Sequence, residues 1–147
     1  MSSENASMHE TVRARLAEHQ QRMTAGREQV VDVLAATDRP LTIPEILAAR
    51  RGLAQSSVYR TLVVLEQAGV VHRVVTHDEF ARYELAEDLT GHHHHLVCSN
   101  CGRVEDLPAS DSIERSVAAA VAQAARRVGF RTEHHRLDLV GTCADCT

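Results

Sequence analysis

Two Cys-x-x-Cys pairs constrain this sequence more than any other feature. Cys98 and Cys101 form the first pair, Cys143 and Cys146 form the second, and together they account for all four cysteines. Pairs of thiolates at this spacing are typical of tetrahedral zinc, in which each sulfur lies about 2.3 Å from the ion. Because the two pairs are far apart in the sequence, a whole small domain has to fold to bring them together. We therefore predict a structural Zn²⁺ site formed by the four cysteines.

A run of four histidines, His92 to His95, precedes the first cysteine pair. In an extended strand, successive side chains point to opposite faces. His92 and His94 would then face one way, and His93 and His95 the other. One strand could thus supply two imidazoles to each of two further metal sites.

The composition favours a globular protein with one ordinary domain or two small ones. The 147 residues are 44% hydrophobic but include only two Phe, two Tyr and no Trp, so the core has to rely on Val, Leu and Ala. No apolar run reaches the roughly 18 residues of a membrane span, and the first residues lack the pattern of a signal peptide. We expect a cytoplasmic protein without a membrane partner, and in that reducing compartment paired cysteines favour zinc over disulfides.

The charge is unevenly distributed, which bears on nucleic-acid binding. The formal net charge is −4, and Arg supplies every basic side chain. Residues 1–75 carry nine Arg and eight acidic residues, whereas residues 76–147 carry seven Arg and twelve acidic residues. Contact with nucleic acid would therefore come from the N-terminal half, through a few placed arginines rather than a general basic field.

The N-terminal half has the periodicity of four helices followed by two strands. Met8, Val12 and Leu16 recur at helical spacing. The other helices are expected at residues 27–36, at 42–50 after a Thr-Ile-Pro-Glu capping box, and at 58–67 with Ser56 or Ser57 as the cap. The strands are expected at residues 70–75 and 81–84, with a turn at 77–79 between them. Helices followed by a hairpin are the order of a winged helix-turn-helix, although a generic α+β domain fits this part equally well.

The C-terminal half reads as a small β-β-α-β unit. Residues 86–91 are polar and predict a hinge. Strands are expected through the histidines to Cys98, at 104–107 and at 134–140, with a long helix at 111–128. We therefore predict an α+β protein: an N-terminal winged helix-turn-helix domain (1–85), a hinge (86–91) and a small α/β dimerisation domain (92–147). A unit this small has open sheet edges and little core, which favours pairing with a second copy.

Three segments together resemble the ferric uptake regulator (Fur) superfamily of metal-dependent bacterial repressors. They are Ser-Val-Tyr-Arg-Thr-Leu at 57–62, the histidine run with the first cysteine pair at 92–102, and Gly-Thr-Cys-Ala-Asp-Cys at 141–146. The resemblance implies a homodimer that binds palindromic double-stranded operator DNA when loaded with metal and usually represses metal-uptake genes. It also implies that the four cysteines are the family's structural zinc site.

The resemblance further implies a sensory metal site between the two domains. His93 and His95 match its strand ligands, and Glu84 matches an acidic ligand at the end of the wing. Pro40 stands where the iron-sensing branch has a histidine, whereas His72 stands where the zinc-sensing branch has a ligand; His72 as a plain surface residue is the alternative. A set of three His and one Glu suits Zn²⁺ and also tolerates Fe²⁺ or nickel, so zinc is our first expectation for the regulatory ion.

A third metal site is implied by the same resemblance. Its ligands would be His92, His94, Glu114 and His135, with His134 as a competitor for His135. On a strand, His134 would point to the opposite face.

The resemblance also implies which residues contact DNA. Tyr59 and Arg60 match contacts of the recognition helix, and Ser56, Ser57 and Thr61 are candidate phosphate or base partners beside them. Arg22 and Arg27 match basic residues near the first helix boundary, although each could be a solvated surface charge.

Other classes of protein explain less of the sequence. A zinc-dependent hydrolase would use a similar His and acidic cluster, but the sequence has no HExxH, nucleophile elbow or phosphate loop. A metal-storage protein would use the histidine run but would not explain the helices and hairpin of the N-terminal half. A thiol-based redox regulator would require cysteine pairs that are labile rather than bound to zinc. We expect neither catalysis nor a small-molecule substrate.

Overall fold

The computed structural model describes residues 3–76, 78 and 80–147. These residues form two compact units, one extending to Gly91 and one spanning His92–Thr147. The predicted turn at 77–79 lies outside the described residues except for Asp78.

The helices of the first unit follow the predicted order. They are α1 (Ser3–Glu18), α2 (Ala25–Ala35), α3 (Ile43–Ala49), α4 (Gln55–Gln67) and a short α5 (Glu87–Thr90). The predicted capping box begins α3: the Thr42 hydroxyl accepts from the Glu45 N–H at 3.3 Å, and the Glu45 carboxylate accepts from the Thr42 N–H at 2.8 Å. The sequence did not predict α5, which lies in the segment expected as a hinge.

The start of α4 differs from the prediction. The helix begins at Gln55, and Ala54 occupies the N-cap position without a side-chain hydrogen bond. The predicted serine cap is therefore wrong, because the extended backbone at Ala54 already starts the helix. Ser56 and Ser57 lie exposed in the first turn, and their hydroxyls are not used in capping.

A three-stranded antiparallel sheet completes the first unit. Its strands are β1 (Leu41–Thr42), β2 (Val71–Val74) and β3 (Arg82–Leu85), in the order β1-β3-β2. The hairpin of β2 and β3 is the predicted one, whereas β1 was not predicted because two residues are too short to show alternation. The core below this sheet consists mainly of Val and Leu side chains from the helices and strands, as the composition requires.

The second unit has the predicted β-β-α-β order. Its elements are β4 (His93–Cys98), β5 (Val104–Pro108), α6 (Asp111–Val128) and β6 (Asp138–Gly141). The sheet order is β5-β4-β6, with β4 antiparallel to β5 and parallel to β6.

The last strand begins later than predicted, at Asp138 rather than at residue 134. Asp138 pairs with His95, and β4 begins at His93. Residues before 136 would therefore have no strand to pair with. For this reason strand alternation does not distinguish His134 from His135, and their contacts have to decide between them.

Little of the second unit is buried within a single chain. Its buried hydrophobic residues are Val97, Cys98 and Val104, and α6 has no buried residue. Of the described helices, none combines the length and apolar character needed to span a bilayer.

Candidate metal centres and nucleic-acid interface

The four cysteines lie together, as the spacing of the two pairs predicts. Their sulfurs are all within 4.8 Å of one another, and the Sγ atoms of Cys101 and Cys143 are 3.8 Å apart. In a tetrahedral site with Zn–S bonds of about 2.3 Å, neighbouring sulfurs are about 3.8 Å apart. This cysteine cluster therefore has the donor atoms and the spacing that a closed zinc site requires.

Backbone groups around the cysteine cluster favour a thiolate at Cys98. The pKa of Cys98 is lowered to about 6 because the backbone N–H groups of Cys101 and Cys143 hydrogen-bond to its sulfur; the bond from Cys143 is 3.3 Å long. Burial raises the pKa of Cys143 to about 11, assisted by the neighbouring thiols. One thiolate is thus stabilised by the fold, and a bound cation would have to favour ionisation of the others.

A second group of ligands surrounds Glu114, at the start of α6. His94 Nε2 lies 2.6 Å from Glu114 Oε1, and the Nε2 atoms of His92 and His135 lie 3.3 and 3.1 Å from Glu114 Oε2. The Nε2 atoms of His92 and His135 are 3.3 Å apart. This Glu114 cluster contains all four residues that the sequence assigned to the third metal site, and it contains His135 rather than His134.

The electrostatics of the Glu114 cluster favour an ionised carboxylate. The hydrogen bond from His94 lowers the pKa of Glu114, and the nearby imidazoles act in the same direction. His94 is buried whereas His92 is exposed. Three imidazoles and one carboxylate converging in this way suit a divalent transition metal.

The opposite face of β4 carries a further group. His93, His95 and Asp106 offer ligand atoms that all lie within 4.8 Å of one another, and the rings of His93 and His95 have centroids 5.2 Å apart. Asp106 lies directly across from His95 in the pairing of β4 with β5, so the two side chains share a face of the sheet. We call this set the Asp106 cluster; two imidazoles and a carboxylate suit zinc or iron(II).

Sequence reasoning missed Asp106, although the sequence contains a signal for it. The chain reverses between Cys98 and Arg103, and Val97 pairs with Val104. From that pair, two steps back along β4 and two steps forward along β5 place His95 opposite Asp106. A hairpin built on the turn at the first cysteine pair would therefore have identified Asp106 as a neighbour of His95.

The remaining two residues assigned to the sensory site lie on the hairpin of the first unit. His72 on β2 pairs with Glu84 on β3. Glu84 is 8% exposed, and His72 is half-buried. Cross-strand partners lie on one face of a sheet, so the hairpin presents the imidazole and the carboxylate together.

Five of the residues assigned to DNA contact lie on α4, and most of them are on its exposed side. Val58, Leu62 and Leu65 are buried, whereas Tyr59 is 56% exposed. Ser56, Ser57 and Arg60 are also exposed, and Thr61 is half-buried. The Arg60 Nε–H donates to the Ser56 carbonyl at 3.4 Å. This hydrogen bond does not involve the two terminal NH₂ groups of the guanidinium.

The two arginines near the start of α2 differ in their surroundings. The Arg27 guanidinium donates to the Gln21 side-chain oxygen at 2.9 Å and to the Arg22 carbonyl. It therefore holds the turn before α2, in which the Thr24 hydroxyl caps the helix by accepting from the Arg27 N–H. Arg22 is exposed.

Comparison with known proteins shows the family to which the chain belongs. The model of the ferric uptake regulator family matches residues 18–140. The peroxide operon regulator of Bacillus subtilis is 29% identical over 132 residues, which cover 86% of this chain and 84% of that protein. The ferric uptake regulation protein of Cupriavidus metallidurans is 37% identical over 103 residues, covering 69% of this chain and 67% of that protein.

Among solved structures, the ferric uptake regulator Fur of Helicobacter pylori is similar to nearly the whole chain. The two superpose with a TM-score of 0.77 at 27% identity, covering 97% of this chain and 93% of the other. That structure is described as having three functional metal-binding sites.

The fold and the ligand groups define a metal-responsive transcription regulator with an N-terminal helix-turn-helix domain and a C-terminal α/β domain. The chain belongs to the ferric uptake regulator family. Members of this family are regulators rather than enzymes, which confirms the expectation that the chain is not a catalyst.

Proposed function

We propose that this protein is a repressor of metal-uptake or metal-homeostasis genes that binds operator DNA as a homodimer when a divalent metal ion occupies the Asp106 cluster. The observation that carries the proposal is the convergence of His93, His95 and Asp106 on one face of the second unit. We further propose that His72 and Glu84 of the first unit complete the coordination. An ion held by both units would restrict the hinge segment to the arrangement that fits DNA, whereas without it the competent arrangement is a minority state.

Zinc is our first candidate for the regulatory ion. A site with imidazole and carboxylate ligands suits zinc, and His72 stands where the zinc-sensing branch has a ligand. We propose that a structural zinc ion occupies the cysteine cluster in addition, because four cysteine sulfurs close that site and leave no position for a substrate. The Glu114 cluster would hold a third ion, in line with the three sites described for the Helicobacter pylori protein.

Iron(II) is the second candidate, and Asp106 is the observation that favours it. Two histidines and one carboxylate are the ligands of many non-haem iron(II) sites, and none of the four cysteines belongs to the Asp106 cluster. The Bacillus subtilis relative is a peroxide regulator. If iron(II) is the ion, exposure of the iron-loaded protein to dilute peroxide should reduce DNA binding, whereas the zinc-loaded protein should be unaffected.

The exposed side of α4 supports DNA as the partner. Tyr59 and Arg60 are exposed on the helix that follows the α3–α4 turn, and a guanidinium such as that of Arg60 can donate two hydrogen bonds to guanine or phosphate. The two recognition helices of a dimer would read half-sites about 34 Å apart, one turn of DNA. We expect Arg60→Ala to weaken binding by about 1–3 kcal/mol, and Arg126→Ala, which removes an exposed arginine of α6, to leave binding unchanged.

Exposed apolar side chains support a second copy of the chain as the partner of the second unit. Val128, Phe130 and Val140 are 79%, 67% and 66% exposed, and Leu139 is 47% exposed. Apolar side chains this exposed are candidates for burial in an interface; Leu139 and Val140 are consecutive on β6 and face opposite sides of the sheet. Sedimentation analysis should give the mass of a dimer, and Val140→Lys should shift it toward the monomer.

The test of the proposed function requires a DNA sequence that the protein recognises. Zinc-loaded protein would be used to select binding sites from a random duplex library, and the affinity for the selected site would be measured for the apo, zinc, iron(II), manganese and nickel forms at one fixed salt concentration. We expect metal to increase affinity by at least tenfold, and His93→Asn and Asp106→Asn to abolish that increase. Equal affinities with and without metal would refute the proposal.

A further inference from the structure

Asp138, at the start of β6, contacts a histidine that we assign to the Asp106 cluster. Its Oδ1 atom lies 3.0 Å from Nδ1 of His95. The pairing of β4 with β6 places the two residues directly beside each other. The side chain of His95 is 8% exposed, whereas that of Asp138 is 51% exposed.

The contact determines which ring nitrogen of His95 carries the proton. A carboxylate accepts hydrogen bonds and cannot donate one, so Nδ1 has to carry the hydrogen in this contact. In a neutral imidazole the other nitrogen, Nε2, then keeps its lone pair. A metal ion binds a neutral imidazole through such a lone pair, and the hydrogen bond to the other nitrogen also fixes the ring orientation and increases the basicity of the ligand.

We propose that Asp138 is a positioning residue for the regulatory metal: by accepting the Nδ1–H of His95, it keeps Nε2 unprotonated and directs the ring toward the ion. Asp138 is outside all three groups of candidate ligands. The inference rests on the proposed function in one respect only, namely that an ion binds the Asp106 cluster.

Asp138 lies on β6, and the same strand leads into the cysteine cluster. Further along the same strand, the Gly141 carbonyl accepts from the Ser99 N–H at 2.7 Å, and Cys143 follows with its N–H directed at Cys98. β6 is exposed along its whole length. A test of Asp138 must therefore also determine whether the cysteine cluster remains intact.

The experiment compares Asp138→Ala and Asp138→Glu with the unmodified protein. All samples retain zinc in the cysteine cluster, and all carry His135→Asn, which removes a ligand from the Glu114 cluster so that the second ion reports on the Asp106 cluster. The matched control is Glu133→Gln, which removes one negative charge from an exposed residue of the same unit. The measurements are the affinity for added zinc or cobalt(II) by chelator competition, the ¹⁵N chemical shifts of the His95 ring, and the zinc content.

We expect Asp138→Ala to lower the affinity by about 10–100-fold, the range found for residues that orient metal-bound histidines. In the metal-free site, the His95 spectrum should change from a single Nδ1–H form to a mixture of tautomers. Asp138→Glu should restore part of the affinity, and Glu133→Gln should resemble the parent. Zinc content of one ion per chain in the cysteine cluster should be unchanged.

Two results would overturn the inference. The first is unchanged affinity and an unchanged tautomer in Asp138→Ala. The second is a loss of affinity accompanied by loss of zinc from the cysteine cluster, which would make Asp138 a purely structural residue of β6. Because these measurements contain no DNA, the inference can fail while metal-dependent operator binding stands, and metal-independent operator binding would refute the proposed function without affecting the result for His95.

Discussion

Removal of the ion from the cysteine cluster is expected to unfold the second unit and to leave the first unit folded. The buried hydrophobic residues of the second unit, all of whose residues are described, are Val97, Cys98 and Val104. Burial of one valine side chain contributes about 1.5–3 kcal/mol, so Val97 and Val104 together contribute about 3–6 kcal/mol; Cys98 is a ligand of the cysteine cluster and is counted with the ion. A structural zinc ion contributes about 10–16 kcal/mol in zinc-binding peptides at neutral pH. The ion therefore outweighs the entire apolar core of this unit in a single chain.

The first unit is expected to stay folded without the ion. Among its described residues, the core contains sixteen buried hydrophobic residues, from Val12 to Leu85, and no cysteine. Packing of these side chains, together with the capping box of α3, is independent of the cysteine cluster. The two units should therefore respond differently to a zinc chelator.

Hydrogen exchange measured by mass spectrometry can follow both units in one sample. After chelation, or in Cys101→Ser, peptides from β4 and β5 should lose protection while peptides from α2 and α4 keep it. Asn100→Ser alters an exposed residue between the same two cysteines and serves as the matched control, for which protection should be unchanged. Continued protection of β4 and β5 in zinc-free protein would show that the apolar core, rather than the ion, holds this unit together.

Three further predictions concern the first unit. Leu62→Ala should lower the free energy of unfolding by about 2–5 kcal/mol, because Leu62 is 1% exposed and its removal leaves a cavity; chemical denaturation measures this, and a loss below 1 kcal/mol would contradict the packing. Thr42→Ala should lower the free energy of unfolding by about 1 kcal/mol, because the capping box is lost. Glu45→Gln preserves the box pattern and should lower the same quantity by less in the same denaturation experiment. Asp78→Asn should lower the free energy of unfolding by about 1.5–3 kcal/mol at pH 7. The reason is that Arg82 and Thr76 hydrogen-bond to the carboxylate and hold its pKa well below the usual value. Because folding depresses the pKa of Asp78, the difference in unfolding free energy between the parent and Asp78→Asn should be fully present above the unfolded pKa of about 3.9. It should shrink as the pH falls from there toward the folded pKa. A difference that is constant from pH 7 to pH 3 would refute the assignment.

Much of the candidate site could be predicted because its signals are local. The Cys-x-x-Cys spacing places two sulfurs in one turn, whatever the rest of the chain does. The alternation of side chains along a strand separates His92 and His94 from His93 and His95, and the structure shows these two pairs in two different ligand groups. The Thr42–Glu45 capping box is likewise a relation between residues three positions apart.

Other features could not be predicted because they depend on pairing between distant segments. The strand β1 has only two residues, and its existence depends on the neighbouring β3. The parallel pairing with β4 excludes a start of β6 before residue 136, because β4 begins at His93, and the predicted start at residue 134 was therefore wrong. Its parallel register also brings Asp138 beside His95 across a separation of 43 residues.

The sequence by itself determined the ligand types, the faces of the histidine strand and the pairing of two sulfurs within each Cys-x-x-Cys turn, because each follows from backbone geometry over a few residues. Only the tertiary structure decided that His135 rather than His134 reaches Glu114, and that Asp138 contacts the ring of His95. The physical reason is register: a shift of one residue between paired strands turns every side chain to the opposite face, and the register of distant strands is settled by the packing of the whole unit.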